Sequence, residues 1–330
     1  MTTRAATLPR PQRALAAASL AAFSVALAPA AMAQAYPTKP LRMVIPFAPG
    51  GGSDFIGRIA AQQLSDSLGH QVVVENRGGA GGSLGVEVGM KAAPDGYTLT
   101  LIAASYPVNP ALYKLNFDPV KDIQPVIQMS QGPFLVAVHP TLPAKTVKDL
   151  IALARKNPGG LNYATSGQGS IVHLATEHFA SMAGIKMTHI PYKGTGPALT
   201  DTIGGHTQLI FGSIASTLPF VRSGKLRPIA VTTAKRIGAE PNIPSIGETV
   251  AGYDVTNWHG ILVPRNTPRP IVDRINADLQ KALSNKEMIT RLNADGVEPA
   301  GGTPEAFGAR IAREIELWKK IVAQAGVKAE

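Results

Sequence analysis

Short apolar runs and amphipathic stretches alternate along the chain from residue 41 onward. Runs of about four to eight residues rich in Val, Ile and Leu, bounded by Gly, Pro or Asp, are typical of buried strands. Stretches whose apolar residues recur every three to five positions, as at 54–68, are typical of helices packed on one face. We therefore predict strands at 41–46, 72–74 and 98–103, with helices at 54–68 and 83–92 between them.

The same alternation starts again with a predicted strand at 134–138 and forms a second block. Thr146-Val147-Lys148-Asp149 has the form of a capping box and predicts a helix that extends to Lys156. The other strands and helices predicted here lie at 161–164, 170–182, 187–190, 197–203, 208–211 and 228–232. Strand–helix–strand order at this spacing favours a parallel sheet with helices on its faces, so both blocks are predicted to be α/β units.

The C-terminal segment differs from both blocks. It contains a predicted strand at 255–263 and long amphipathic helices at 268–284 and 304–325, which are too few elements for a third unit. We expect these helices to return to the first block. The chain would then cross between two lobes twice, near residues 130–138 and 250–260.

The first 33 residues carry the features of a secretory signal in the expected order. Arg4, Arg10 and Arg13 precede an apolar run at 15–27, and Ala31-Met32-Ala33 supplies small residues for cleavage. The apolar run is shorter than the roughly 20 residues of a membrane span, and an uncleaved anchor stays the alternative. We predict a signal peptide at 1–33 and a periplasmic location for the remaining 297 residues (330 − 33).

Composition narrows the chemistry that the exported chain could carry. It has no cysteine, which excludes thiol catalysis, zinc–cysteine sites and iron–sulfur clusters. The formal charge of +10 becomes +7 once three leader arginines are removed (10 − 3), and a positive field attracts anionic solutes. Basic residues are scattered and aromatic residues make up only 5%, so nucleic acid is not an expected partner.

Two loops between a strand and a helix combine glycine with small polar residues. The first consists of Phe47, Ala48, Pro49, Gly50, Gly51, Gly52, Ser53 and Asp54; the second contains Thr165, Ser166, Gly167, Gly169 and Ser170, with His173 on the helix that follows. Glycine lets the backbone approach a ligand closely, and the free N–H groups of a helix start attract an anion. We predict that these loops face each other across a cleft and bind a carboxylate. Asp54 is expected to cap its helix, and His173 to be hydrogen-bonded near the cleft.

A third glycine-rich stretch, residues 75–83, is predicted as a turn at the edge of the cleft. It is not a nucleotide loop, because Leu84 stands where G-x-G-x-x-G needs its last glycine and the lysine of a P-loop is missing. The seven histidines form no i,i+4 zinc pair, and neither H-E-x-x-H nor G-x-S-x-G occurs. We therefore expect no enzyme activity, catalytic residue, metal or cofactor. An exported hydrolase stays an alternative, because its residues could come together only in space.

Six motifs, taken in order, resemble those of the Bug family, the periplasmic solute-binding receptors of tripartite tricarboxylate transporters. They are the start at 36–42, the loop P-F-A-P-G-G-G-S-D at 46–54, E-N-R-G-G-A-G-G at 75–82, P-D-G-Y-T-L at 94–99, P-Y-K-G with P-A at 191–198, and G-K-L-R with A-V-T at 224–232. The similarity runs from Tyr36 to the C-terminus.

This resemblance implies a type II periplasmic-binding-protein fold, with two α/β lobes that close over a cleft as a Venus flytrap. Lobe 1 would comprise 36–133 and 257–330, and lobe 2 would comprise 134–256. The resemblance further implies that Phe47 and Ser105 lie in the cleft and that the two loops capture a small carboxylate, such as an organic acid, a dicarboxylate or an aromatic acid. The membrane subunits of a transporter would be the partner of a monomeric receptor. A sensor that presents the solute to a two-component receptor stays an alternative.

One position departs from the family pattern. The family often carries Asp after the Phe of a strand, whereas here Gly212 follows Phe211. Because an acidic group there could meet a ligand amine, its absence makes an amino acid the less favoured ligand.

Overall fold

The computed structural model describes Thr2 and residues 36–294 and 296–325. Apart from Thr2, the predicted signal peptide at 1–33 lies outside the described residues. Within the described ranges, no helix has the length and apolar character needed to cross a membrane.

Ten strands and ten α-helices occur in the described part of the chain. The strands are β1 (Leu41–Ile45), β2 (Val72–Asn76), β3 (Thr98–Ala103), β4 (Ile123–Val138), β5 (Asn162–Thr165), β6 (Thr188–Pro191), β7 (Leu209–Ser213), β8 (Arg227–Val231), β9 (Thr256–Pro264) and β10 (Glu298–Gly301). The helices are α1 (Gly52–Leu68), α2 (Ser83–Met90), α3 (Asn109–Leu112), α4 (Val147–Lys156), α5 (Ile171–Ala183), α6 (Thr195–Ile203), α7 (Ile214–Arg222), α8 (Arg269–Leu283), α9 (Lys286–Ala294) and α10 (Pro304–Ala325).

Strand β4 belongs to two sheets. Its N-terminal part pairs antiparallel with β9 and β10, and β9 leads on to β3, β1 and β2. Its C-terminal part pairs antiparallel with β7 and β8, and β7 leads on to the parallel strands β5 and β6. We call the parts of the molecule built on these two sheets the first lobe and the second lobe. The two-lobed α/β architecture is confirmed, while the exact residue boundaries of the lobes stay a prediction.

Strands β4 and β9 run side by side where the chain crosses between the lobes. Gly132 lies opposite Asn257, and Pro133 lies opposite Thr256. Neighbouring residues of a strand point to opposite faces of the sheet. Phe134 and Asn257 therefore face one side of the crossing, whereas Pro133 and Thr256 face the other.

Helix α1 is held on the first sheet by an apolar face. Ile59, Ala60 and Leu64 are buried as the pattern predicts, together with Ile56, and each large apolar side chain buried in this way contributes about 1.5–3 kcal/mol. The helix ends at Gly69, whose backbone has φ of 69°. The predicted capping box of α4 is also confirmed, since the Thr146 and Asp149 side chains each accept from the other's backbone N–H.

Several predicted bounds were wrong. Helix α1 begins at Gly52 rather than Asp54, and α6 begins at Thr195 rather than Pro197. Strand β4 has 16 residues, although only 134–138 were predicted. The part of β4 before residue 134 was missed because it contains Pro125 and Pro133, and proline is typical of turns. Four elements were not predicted, namely α3, α7, α9 and β10; α7 contains Pro219, a residue that disfavours a helix interior.

Candidate ligand-binding site

A small cavity of about 20 Å³ lies between the two lobes, and we call it the central cavity. Both lobes line it, with Phe47, Gly51, Gly52, Ser53, Ala103, Ser105, Phe134, Ser166, Ile171, Val172, Thr195, Ser213, Asn257 and His259. A water molecule needs at least about 10–15 Å³. The structure is therefore a closed form with room for about one water, and an organic acid can enter only when part of the wall moves.

Four helices begin at the central cavity. Its lining includes the first residues of α1 (Gly52), α5 (Ile171) and α6 (Thr195), and Ser213, the residue that precedes α7. The first N–H groups of a helix have no partner within it, and each helix start carries the equivalent of about half a positive charge. The cavity is thus surrounded by backbone dipoles that favour an anion.

No charged side chain contributes to this preference of the central cavity for an anion. None of its lining residues is Asp, Glu, Lys or Arg. His259 is the titratable group in the wall, and burial lowers its pKa to about 4, so it is neutral near pH 7. Its Nδ1 lies 3.2 Å from the Ser130 hydroxyl. Neutral donors are left to contact a ligand: the hydroxyls of Ser53, Ser105, Ser166, Thr195 and Ser213 and the amide of Asn257.

The first predicted loop is held in shape by Asp54. The Asp54 carboxylate accepts hydrogen bonds from the backbone N–H of Gly50 (3.1 Å), from Arg58 Nε (2.9 Å) and from Asn76 Nδ2 (3.0 Å). Burial alone would raise the pKa of Asp54, but these hydrogen bonds outweigh it and lower the pKa. Asp54 is the third residue of α1, whose N-cap is Gly51, so the prediction that it caps the helix end was wrong. Instead it ties Gly50, which has φ of 82°, to the first turn.

The second predicted loop is held by two stacked histidines. The rings of His173 and His189 lie 3.9 Å apart. His173 Nδ1 accepts from the backbone N–H of Gly169 at 3.2 Å, and His189 Nε2 lies 2.6 Å from the Thr165 hydroxyl. Ser170 caps α5 by accepting from the backbone N–H of His173. His173 is thus a hydrogen-bonded helix residue near the cleft, as the sequence predicts.

The structure brings six of the predicted site residues together at the central cavity: Phe47, Gly51, Gly52, Ser53, Ser105 and Ser166. The other predicted residues lie outside its lining. Nine are in the same loops or next to them, namely Ala48, Pro49, Gly50, Asp54, Thr165, Gly167, Gly169, Ser170 and His173, and the tenth, Gly212, is in strand β7. Gly212 precedes Ser213, and a Cβ added to it would lie 2.1 Å from the Thr217 hydroxyl oxygen. There is no room for a larger side chain at 212 unless Thr217 moves.

Eight lining residues were not predicted: Ala103, Phe134, Ile171, Val172, Thr195, Ser213, Asn257 and His259. Asn257 and His259 are polar residues two positions apart in the apolar strand β9, and such residues share a face of the sheet. This pattern could have revealed both. Thr195 follows the loop between β6 and α6, so the reasoning applied to the other two loops would have found it.

Backbone atoms of the two lobes approach each other closely in the loops beside the central cavity. The N–H of Ala48 donates to the carbonyl of Lys193 at 2.9 Å. A Cβ added to Gly196 would lie 2.0 Å from the carbonyl oxygen of Pro49, and one added to Gly78 would lie 2.7 Å from that of Lys193. These glycines permit the close approach, and the stretch at 75–83 takes part in it.

Acidification is expected to destabilise the protein through His173. Burial lowers the pKa of His173 to about 4, below the usual 6.5, so the folded state binds a proton less readily than the unfolded chain. Stability is then complete above about pH 6.5 and falls towards pH 4, with a loss of about 2 kcal/mol by pH 4.5. Urea unfolding across this range measures the loss. His173→Gln should remove this share of the dependence and leave the share of His259, whose pKa burial also lowers to about 4. Equal slopes in wild type and His173→Gln would contradict this prediction.

Comparisons with known proteins point to one family of receptors. The profile of the tripartite tricarboxylate transporter family receptors matches residues 56–327. BugT of Bordetella pertussis is 35% identical over 302 residues, which cover 90% of this chain and 92% of BugT.

In the described part of the chain, no group of three or more His, Cys, Asp or Glu residues could hold a metal ion.

Two solved structures share the fold. The R. palustris protein Rpa4515 with adipate has a TM-score of 0.87 and 35% identity, covering 89% of this chain and 100% of its own. MatC from Rhodopseudomonas palustris with bound malate has a TM-score of 0.82 and 29% identity, covering 87% and 100%. The periplasmic-binding-protein fold implied by the sequence is confirmed, and the chain belongs to the tripartite tricarboxylate transporter receptors of the Bug family.

Proposed function

We propose that the protein is a periplasmic receptor that captures a small carboxylate in the central cavity and delivers it to the membrane subunits of a tripartite tricarboxylate transporter. The observation that carries the proposal is the convergence of four helix starts on a cavity whose lining has no charged side chain. An anion is the ligand that such an arrangement stabilises.

A carboxylate suits the donors around the cavity. Backbone N–H groups, the serine and threonine hydroxyls and the Asn257 amide all donate to a carboxylate oxygen. Hydrogen bonds to a charged group contribute about 1.5–3 kcal/mol each, and a micromolar dissociation constant corresponds to about −8 kcal/mol. A few such hydrogen bonds are therefore sufficient for micromolar affinity. The adipate of Rpa4515 and the malate of MatC support an organic acid as the ligand class here.

Capture requires the lobes to part and close again. The central cavity of about 20 Å³ admits no organic acid as it stands, and the backbone contacts between Ala48 and Lys193 belong to the closed form. In the proposed cycle an acid binds one lobe of the open form, and closure about β4 and β9 completes its contacts and excludes water.

A thermal-shift screen tests the ligand class. Organic acids are expected to raise the melting temperature, because a ligand that binds only the folded state stabilises it. The matched control is the neutral amide of each acid, which should cause no shift. Equal shifts from acids and amides would contradict an anion site. For an acid that binds, small-angle scattering should show a smaller radius of gyration at saturation, and an unchanged radius would count against closure.

A further inference from the structure

A second pocket of about 200 Å³ lies beside the central cavity, and we call it the side pocket. It is roughly ten times larger than the central cavity as the lobes now stand. Its apolar wall is formed by Val255, Leu317, Trp318 and Ile321. Leu317 is 51% exposed, so the pocket opens to solvent.

A thin partition separates the two spaces. Ile171 lines both the central cavity and the side pocket. On the other side of the partition, Ala103 and Ser105 line the central cavity while Ala104, between them, lines the side pocket. The partition is therefore about one side chain thick, and Ile171 is its bulkiest member.

The side chain of Ile171 is expected to keep one position rather than to move aside for a ligand. It is the first residue of α5, and the Ser170 cap holds that helix start in place. The χ1 angle of a β-branched residue in a helix is restricted to essentially one rotamer. The residue is 3% exposed, so it is buried in the wall between the two spaces.

The side pocket is suited to an apolar group. The carboxylate and guanidinium groups of its wall already have partners, since Arg310 Nε donates to Glu314 at 2.8 Å and Trp258 Nε1 donates to the same carboxylate at 2.9 Å. Asp254 accepts from the backbone N–H of Ala234 at 3.0 Å. An alkyl chain or an aryl ring would bury apolar surface against Trp318 and Val255 without breaking these bonds.

We propose that Ile171 sets the size limit for the acid, by closing the central cavity off from a side pocket that would accept an apolar alkyl or aryl tail. This inference rests on the proposed function, because it takes the carboxylate to be bound in the central cavity. The wild-type protein then prefers compact acids. A smaller residue at 171 joins the two spaces and admits acids with an apolar tail.

Calorimetric titration with two acid series tests the proposal: succinate with 2-phenylsuccinate, and butyrate with octanoate. Ile171→Ala is expected to bind the larger acid of each series at least about 10-fold tighter than wild type does, a difference of about 1.4 kcal/mol. The measure is the ratio of the two affinities, because Ile171 itself lines the central cavity and its truncation also alters the binding of the smaller acid. Val172→Ala is the matched control, because Val172 is the next residue, is equally buried and lines the central cavity alone. It should leave the size preference unchanged.

A double variant closes the side pocket again. Leu317→Asp places a carboxylate on the pocket wall at a half-exposed position, where folding should be little affected. In Ile171→Ala/Leu317→Asp the gain for the larger acids should disappear. Ile171→Val serves if Ile171→Ala unfolds, with a smaller gain expected. Binding with the wild-type size preference in Ile171→Ala or Ile171→Val would overturn this inference alone. Failure of every acid to bind every protein would overturn the proposed function, and this inference with it.

Discussion

Replacing Gly196 with alanine is expected to weaken acid binding by about 100-fold while leaving both lobes folded. The new Cβ would lie 2.0 Å from the carbonyl oxygen of Pro49 in the opposite lobe, so the lobes could not close without a backbone shift. Overpacking of this kind costs about 3 kcal/mol, which corresponds to roughly the stated factor. Gly196 is outside the lining of the central cavity, so the loss would come from closure rather than from a lost ligand contact.

The effect on stability should have the opposite sign. Gly196 is the second residue of α6, and alanine favours a helix over glycine by about 1 kcal/mol. Calorimetry gives the affinity, chemical unfolding gives the stability, and small-angle scattering shows whether saturating ligand still reduces the radius of gyration. The control is Gly238→Ala, since Gly238 has open space around it. Wild-type affinity in Gly196→Ala would show that closure does not need this contact.

Replacing Asp54 with alanine is expected to lower the free energy of unfolding by about 3 kcal/mol and to weaken acid binding at least about 10-fold. The change leaves the backbone N–H of Gly50 and the amide of Asn76 without their acceptor. Asn76 also donates to the carbonyl of Phe47 at 2.9 Å. Without Asp54, the Asn76 side chain would be held less firmly, and the loop that it supports would become looser. Since Gly51, Gly52 and Ser53 line the central cavity, a looser loop would present its donors poorly.

Arg58→Ala is the matched control for Asp54→Ala. Arg58 is the ion-pair partner of Asp54, but its side chain is 54% exposed, and exposed ion pairs contribute about 0–1 kcal/mol. Chemical unfolding should therefore show a much smaller loss in the free energy of unfolding for Arg58→Ala than for Asp54→Ala. If Asp54→Ala and Arg58→Ala lost equal stability, the backbone bond to Gly50 would not be the important contact.

The fold could be predicted where short-range patterns agree with the tertiary structure. Alternating strands and helices gave the α/β class and the two lobes, and the Thr146 capping box marked the start of α4. Two of the failures have the same physical cause, which is that packing tolerated a proline inside an element. Pro133 lies in β4 where that strand changes partners from one sheet to the other, and Pro219 lies inside α7.

From the residues alone, the candidate site could be predicted only where a loop carries a local signal, whereas Ser105 came from the family resemblance. Glycine beside a helix start marked the two loops that contribute Gly51, Gly52 and Ser166 to the central cavity. Phe134 and Ile171 gave no such signal, because an apolar residue in a strand or helix is ordinarily part of a core. Their place in the wall follows from how the two lobes meet, which depends on contacts between residues far apart in the chain.

Closure of the lobes and preference for an acid depend in part on different atoms of the protein. Main-chain atoms at Ala48, Lys193, Pro49 and Gly196 form part of the contact between the lobes, whereas the acid would be selected by side chains such as Ile171 and Asn257. A substitution at either of these two side chains would leave the main-chain contacts in place. The acid preference can therefore change while this part of the closing surface stays the same.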